Sequence, residues 1–187
     1  MNSKDFKEKA WEQLRTHYWS LFVIGIILAA IMASTPALIG LILTGPALVG
    51  VNRYRLFIVR HNQDDTNLLV SGFKGDVFNY IITHILRMVF IFLWTLLFII
   101  PGIIKTFSYS MTFYILADHP ELTPTQAIQK SREMMAGHKW RLFVLFLSFI
   151  GWYLLVILTL GLGMIFLEPY IQQSVANFYE DLKTQTV

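Results

Sequence analysis

Apolar residues run almost uninterrupted through 21–51, 77–104 and 142–167, and the polar residues fall mainly in the stretches between them. No period of two is visible, and each run exceeds the length of an ordinary strand, so the pattern predicts helices that are apolar nearly all round. About 20 residues of helix span the hydrocarbon core of a bilayer, and the first run is too long for one straight crossing. Ser34, Thr35 and Pro36 punctuate it, because proline removes a backbone donor and disfavours helix at the residue before it. Pro101-Gly102 in the second region and Gly161 with Gly163 in the third act in the same way. The pattern therefore predicts three helical hairpins, 18–57, 77–117 and 140–181, with six segments at about 18–33, 37–57, 77–100, 103–117, 140–158 and 162–181.

Two amphipathic helices are expected outside these segments. In 1–17, Phe6, Ala10, Leu14, Tyr18 and Leu21 share a face that continues into the first crossing, which suggests a helix lying in the headgroups. Within 118–139, Thr123, Pro124 and Gln126 spell a capping box with proline at the first helical position, and Gly137 is a suitable stop. Ile128, Ser131, Met134 and Met135 lie on one side of that helix and form a candidate face for docking a partner, set against simple packing on the protein's own hairpins. The expected fold class is all-α: one polytopic membrane bundle.

Composition agrees with this reading. The chain is 55% hydrophobic and 14% charged, with a mean hydropathy of +0.54, outside the soluble range. Its fifteen Lys and Arg residues test the topology. With three hairpins and both termini on one side, all of them except Arg87 and Lys105 share that side, as the retention of basic loops in the cytoplasm requires. A three-pass arrangement scatters them. The expected topology is multi-pass, with N- and C-termini cytoplasmic. The segment 21–30 resembles the apolar part of a signal peptide, but the acidic residues Asp5, Glu8 and Glu12 ahead of it argue against cleavage.

Chemistry is sparse. The absence of cysteine removes disulfides, thiolate nucleophiles and cysteinyl metal sites. His17, His61, His84, His119 and His138 have no metal-binding spacing, and neither a nucleophile elbow nor a phosphate-cradling glycine loop is present. The chain is read as non-enzymatic, with no cofactor and no nucleic-acid partner. Asp64 and Asp65 read as a solvated turn. Arg87, Lys105 and Glu168 are charges inside apolar segments, where an ionisable group is costly unless paired or hydrated. With His84 they form a candidate buried polar cluster, in which Arg87 or Lys105 pairs with Glu168. Gln172, Gln173 and Asn177 predict that the last segment faces the interior. Two functional classes follow: a non-catalytic protein acting through membrane lipids or a protein partner, in an accessory or envelope-stress role, or a small homo-oligomeric transporter or channel built on the polar cluster.

The run Ile100-Pro101-Gly102-Ile103-Ile104-Lys105, Tyr109-Ser110, Ser131 with Met134-Met135 and Gly137, Leu147-Ser148-Phe149-Ile150-Gly151-Trp152, Thr159 with Gly161 and Gly163, Pro169-Tyr170 and Phe178-Tyr179 resemble a bacterial integral-membrane family known as domain of unknown function 975. The resemblance implies a protein of the cytoplasmic membrane and brings no activity or catalytic residues with it.

Overall fold

The computed structural model describes residues 3–34, 37–159 and 163–185, and among these no strand occurs. Ten helices follow in order: α1 (Ser3–Ser34), α2 (Ala37–His61), α3 (Asn67–Lys74), α4 (Val77–Leu97), α5 (Ile99–Ser108), α6 (Thr112–Asp118), α7 (Pro124–Met134), α8 (Lys139–Leu147), α9 (Ile150–Leu158) and α10 (Met164–Gln185). The turn residues Thr35, Pro36 and Gly161 lie outside the described residues.

Among the described residues three stretches are long and apolar enough to cross a membrane: Val77–Leu97, Ile99–Asp118 and Lys139–Leu158. They correspond to the third, fourth and fifth of the six expected segments; the first, second and sixth include positions whose side chains lie outside those described. α2 carries Asn52, Arg53 and Arg55, α10 carries Glu168, Gln172 and Gln173, and both helices are covered by protein along much of their length. Within the second and third apolar stretches the helix is broken, at Tyr109 to Met111 and at Ser148 to Phe149.

The core lies where α1, α2, α6 and α10 meet, and Phe6, Tyr54, Ile115, Leu116, Phe178 and Tyr179 are almost completely buried in it. α1 bends at His17, whose φ of −118° and ψ of 20° are not helical. The apolar face expected for residues 1–17 exists, with Phe6, Ala10 and Leu14 buried. It is not free to lie in headgroups, because α10 covers it. Phe6 meets Phe178 edge-on at 5.3 Å, Trp11 meets Tyr170 at 5.8 Å, and Tyr18 stacks on Phe166 at 5.7 Å, so the two helices run antiparallel along much of α1. Gln13 accepts hydrogen bonds at 2.9 Å from both Gln173 and Asn177, so the donors on the polar face of α10 find an acceptor in the interior, while the Gln173 Oε1 is buried without a partner among the described residues.

The stretch 58–76 between the first two expected hairpins holds the end of α2 and the further helix α3. α3 folds back on α2 so closely that a Cβ on Gly72 would lie 2.8 Å from the Gly50 nitrogen and collide with the Pro46 carbonyl oxygen. Small residues let helix backbones approach in this way, and they are common where lipid gives no hydrophobic incentive to associate. α4 begins at an Asp76 cap whose carboxylate accepts from the Asn79 amide at 3.1 Å. It ends at Phe98, in extended backbone, rather than at Pro101-Gly102. Pro101 instead sits in the first turn of α5, where its missing N–H has no intrahelical partner to lose. Gly102 closes the hairpin: a Cβ there would meet the Thr95 Cα at 2.8 Å.

Candidate functional site

The four members of the expected polar cluster lie in three places. Glu168 accepts from Gln172 Nε2 at 2.8 Å, and Gln172 accepts in turn from Arg55 at 3.1 Å. Arg55 also reaches Asn52 at 3.4 Å, so α2 and α10 share a polar seam inside the core. Arg87 and His84 lie instead on α4 beside Phe113 of α6, with the guanidinium carbon 5.4 Å from the ring centroid. The Arg87 Nε and the His84 Nδ1 are both buried without a hydrogen-bond partner among the described residues. Lys105 stands 4.4 Å over the Trp94 ring. No ion pair joins Glu168 to Arg87 or to Lys105 among the described residues, because the partner that Glu168 takes is the amide one turn along its own helix.

The proposed docking face of α7 is also occupied. Thr123 and Gln126 form the capping box as expected, and Gly137 takes a φ of +79° that favours glycine. Ile128, Ser131, Met134 and Met135 are buried, however, and the Ser131 hydroxyl donates to the Ser108 carbonyl at 2.9 Å. The first turn of this segment is held to α4 by Asn79, whose amide donates to the Leu122 carbonyl at 2.6 Å. From there α7 runs beside α4 until Arg132 shares a cleft with Phe90, Trp94 and Lys105. Lys105 and Arg132 thus line one cleft, although the hairpin reading assigned Lys105 and residues 118–139 to opposite faces of a membrane. An apolar face that finds α4 and α6 has no reason to stay at a headgroup surface.

This cleft has a volume of about 310 Å³ between α4, α5 and α7, and Tyr109, Thr125, Ile128 and Gln129 complete its lining. Arg132 and Lys139 each lie close enough to Lys105 to repel its charge. On the flank of α5 next to Lys139, Ile103, Ile104, Phe107, Trp140 and Phe143 line an apolar groove of about 200 Å³. A larger apolar cavity of about 510 Å³ opens between α1, α9 and α10, with Trp11, Tyr18, Trp152 and Phe166 in its walls and Arg15 beside them.

Two further hubs were not anticipated. Asp64 is exposed in its loop as expected, and it also has partners: the Tyr54 hydroxyl donates to it at 2.6 Å, Ser20 also donates to it, and His17 lies 3.8 Å away, which fastens the kink of α1 to the end of α2. Asp118 accepts from Arg60 at 2.6 Å, Lys183 at 2.8 Å and Tyr179 at 3.1 Å, and Arg60 also reaches Glu180 at 2.7 Å. Burial opposes the Arg60 charge, but its hydrogen bonds to Asp118 and Glu180 outweigh that effect and hold the guanidinium above its ordinary pKa. Arg53 ties four helices at once, through the Ala117 carbonyl at 3.1 Å, the Ser71 carbonyl at 3.2 Å and the Tyr80 hydroxyl at 3.1 Å. These partners are separated along the chain, and only the spacing of like residue types could have hinted at them.

An all-helical chain with three stretches able to cross a membrane, and with no group of His, Asp or Glu among the described residues that could hold a metal, defines a class rather than an activity. Residues 79–186 match the model of a family described as proteins of unknown function, DUF975, and since the match covers more than half of the chain the protein belongs to that family. It matches no curated protein and no solved structure.

Proposed function

We propose that the protein is a non-catalytic integral membrane protein of the bacterial cytoplasmic membrane, acting through contacts with lipid or with another membrane protein in an accessory or envelope-stress role. The observation that carries this reading is the division of its charges. Arg53, Arg55, Arg60, Asp64, Asp118 and Glu168 are engaged with one another's helices and hold the bundle together. Meanwhile α4, α5 and α9 expose rows of large apolar side chains, including Phe92, Leu96, Ile100, Leu154 and Ile157. Such a surface suits acyl chains, and basic residues at its edge suit anionic headgroups.

The second reading, a small oligomeric transporter or channel, draws on the unpartnered Arg87 and His84 and on the seam around Glu168. Reconstitution of the full chain into vesicles separates the two. The first reading expects no ion or proton flux above that of empty vesicles, together with discrete lipid or protein neighbours after photo-cross-linking in native membranes. A defined flux that disappears in folded Arg87→Ala and Glu168→Ala variants would overturn it in favour of the second.

A further inference from the structure

We propose that the cleft between α4, α5 and α7 binds the phosphate-bearing headgroup of an anionic phospholipid, with Lys105 and Arg132 as its principal cations and Lys139 beside them. The inference rests on the reading of the protein as one that acts through lipid, and it names the lipid class and the site. Lys105 and Arg132 both line the cleft, Lys139 lies near enough to Lys105 to act on its charge, and among the described residues no carboxylate lines the cleft. The acid in contact with a lining residue is Glu133, which accepts from Gln129 at 2.9 Å. Arg60, Arg141 and Lys183 are met by acids, Arg60 by Asp118 and Glu180, Arg141 by Asp181 and Lys183 by Asp118, whereas no ion pair involving Lys105 or Arg132 occurs among the described residues. Like charges held together by a fold repel unless an anion joins them, and phosphate oxygens accept charge-assisted hydrogen bonds from both Lys and Arg. Thr125, Gln129 and Tyr109 add neutral donors to the same walls.

The surroundings favour a lipid over a free anion. Trp94 and Phe90 form one wall, and Trp140, 71% exposed, stands beyond Lys139. Trp side chains favour the headgroup level of a bilayer. Ile103, Ile104 and Phe107 of α5 and Phe143 of α8 line an apolar groove of about 200 Å³ with Lys139 at its edge, a surface suited to an acyl chain. A soluble phosphate would gain nothing from that groove.

The test uses the full chain, purified in mild detergent, with phosphatidylglycerol, phosphatidylcholine and inorganic phosphate as separate probes. Native mass spectrometry counts retained lipid, and thermal unfolding reports stabilisation by each probe. The wild type is expected to retain phosphatidylglycerol at least about tenfold more strongly than phosphatidylcholine, with inorganic phosphate giving no stabilisation at millimolar concentration. Lys105→Gln with Arg132→Gln is expected to abolish the preference, whereas Lys74→Gln, remote in sequence and absent from the cleft, leaves it intact. Lys105→Glu is the variant that guards against misfolding: it places an acid beside Arg132, relieves the repulsion, and is expected to unfold no sooner than wild type while losing the preference. A preference that survives both cleft variants overturns the site. Stabilisation by inorganic phosphate equal to that by the lipid overturns the lipid assignment. If the wild type retains both lipids equally, the headgroup site fails while action through lipid stands; retention of neither lipid removes both.

Discussion

Removal of the Asp118 carboxylate is the sharpest test of how the bundle is held. Asp118→Ala withdraws the acceptor shared by Arg60, Lys183 and Tyr179, three donors on α2 and α10 that converge on the end of α6. The Asp118 side chain is 8% exposed, but Arg60 and Lys183 are 33% and 39% exposed, so water takes up part of what each cation loses. Screened in this way, the two ion pairs contribute about 1 kcal/mol each. The Tyr179 hydroxyl is the costlier partner because its residue is fully buried, and leaving it unsatisfied adds about 1 kcal/mol or more. Arg60 keeps Glu180 at 2.7 Å, which prevents a larger loss. The expected total is about 3 kcal/mol, measured by equilibrium unfolding of the full chain in mixed micelles. A double-mutant cycle with Lys183→Met should return a coupling of about 1 kcal/mol. A loss below about 0.5 kcal/mol, or no coupling with either cation, would show that these contacts do not stabilise the fold and would refute the reasoning.

Gly72→Ala should be far more damaging than its size suggests, by about 3 kcal/mol or failure to accumulate in the membrane, because the added methyl meets the Pro46 and Gly50 backbones rather than side chains that can turn away; wild-type stability would contradict the tight crossing. Arg87→Met should be neutral or stabilising by about 1–3 kcal/mol in the same unfolding assay, since Arg87 has no ion-pair or hydrogen-bond partner among the described residues and methionine fills similar space against Phe113. Thr123→Ala should cost about 1 kcal/mol through loss of the cap, and helix opening near 124–126 should become visible as faster amide exchange. Single cysteines at Lys105 and Lys139, free of background because the chain has none of its own, should react with an impermeant thiol reagent from the same side of the membrane; opposite-side labelling would support the six-segment topology.

Local signals in this chain were easy to read where they acted within one helix. The Thr123 cap, the glycine stop at Gly137, the apolar face of Phe6, Ala10 and Leu14, and the inward polar face of α10 all depend on residues within a few turns of each other. Relations between helices were harder. Counting residues into a segment gives the height of Arg87 and Glu168 but not the direction in which either points, and those directions separate them. The same gap made the Ile128, Ser131, Met134 and Met135 face look free when α4 and α6 already cover it. The hydrogen bonds of Asp64 were hidden for a related reason: its partners Ser20 and Tyr54 lie on other elements, and nothing in an Asp-Asp pair announces them.

The pairing of α1 with α10 has a consequence for biogenesis. α1 is the first of these helices to leave the ribosome and α10 the last, yet Phe6 and the Gln13 amide oxygen find their partners on α10, at Phe178, Gln173 and Asn177. Until then the apolar side of α1 must be sheltered by lipid or by the insertion machinery, since chains emerge from their N-terminal end and unsatisfied surfaces invite misassembly. A chain that stops before α10 is left with its earliest helix unclaimed, and a membrane protease that senses such a helix would distinguish interrupted products from finished ones.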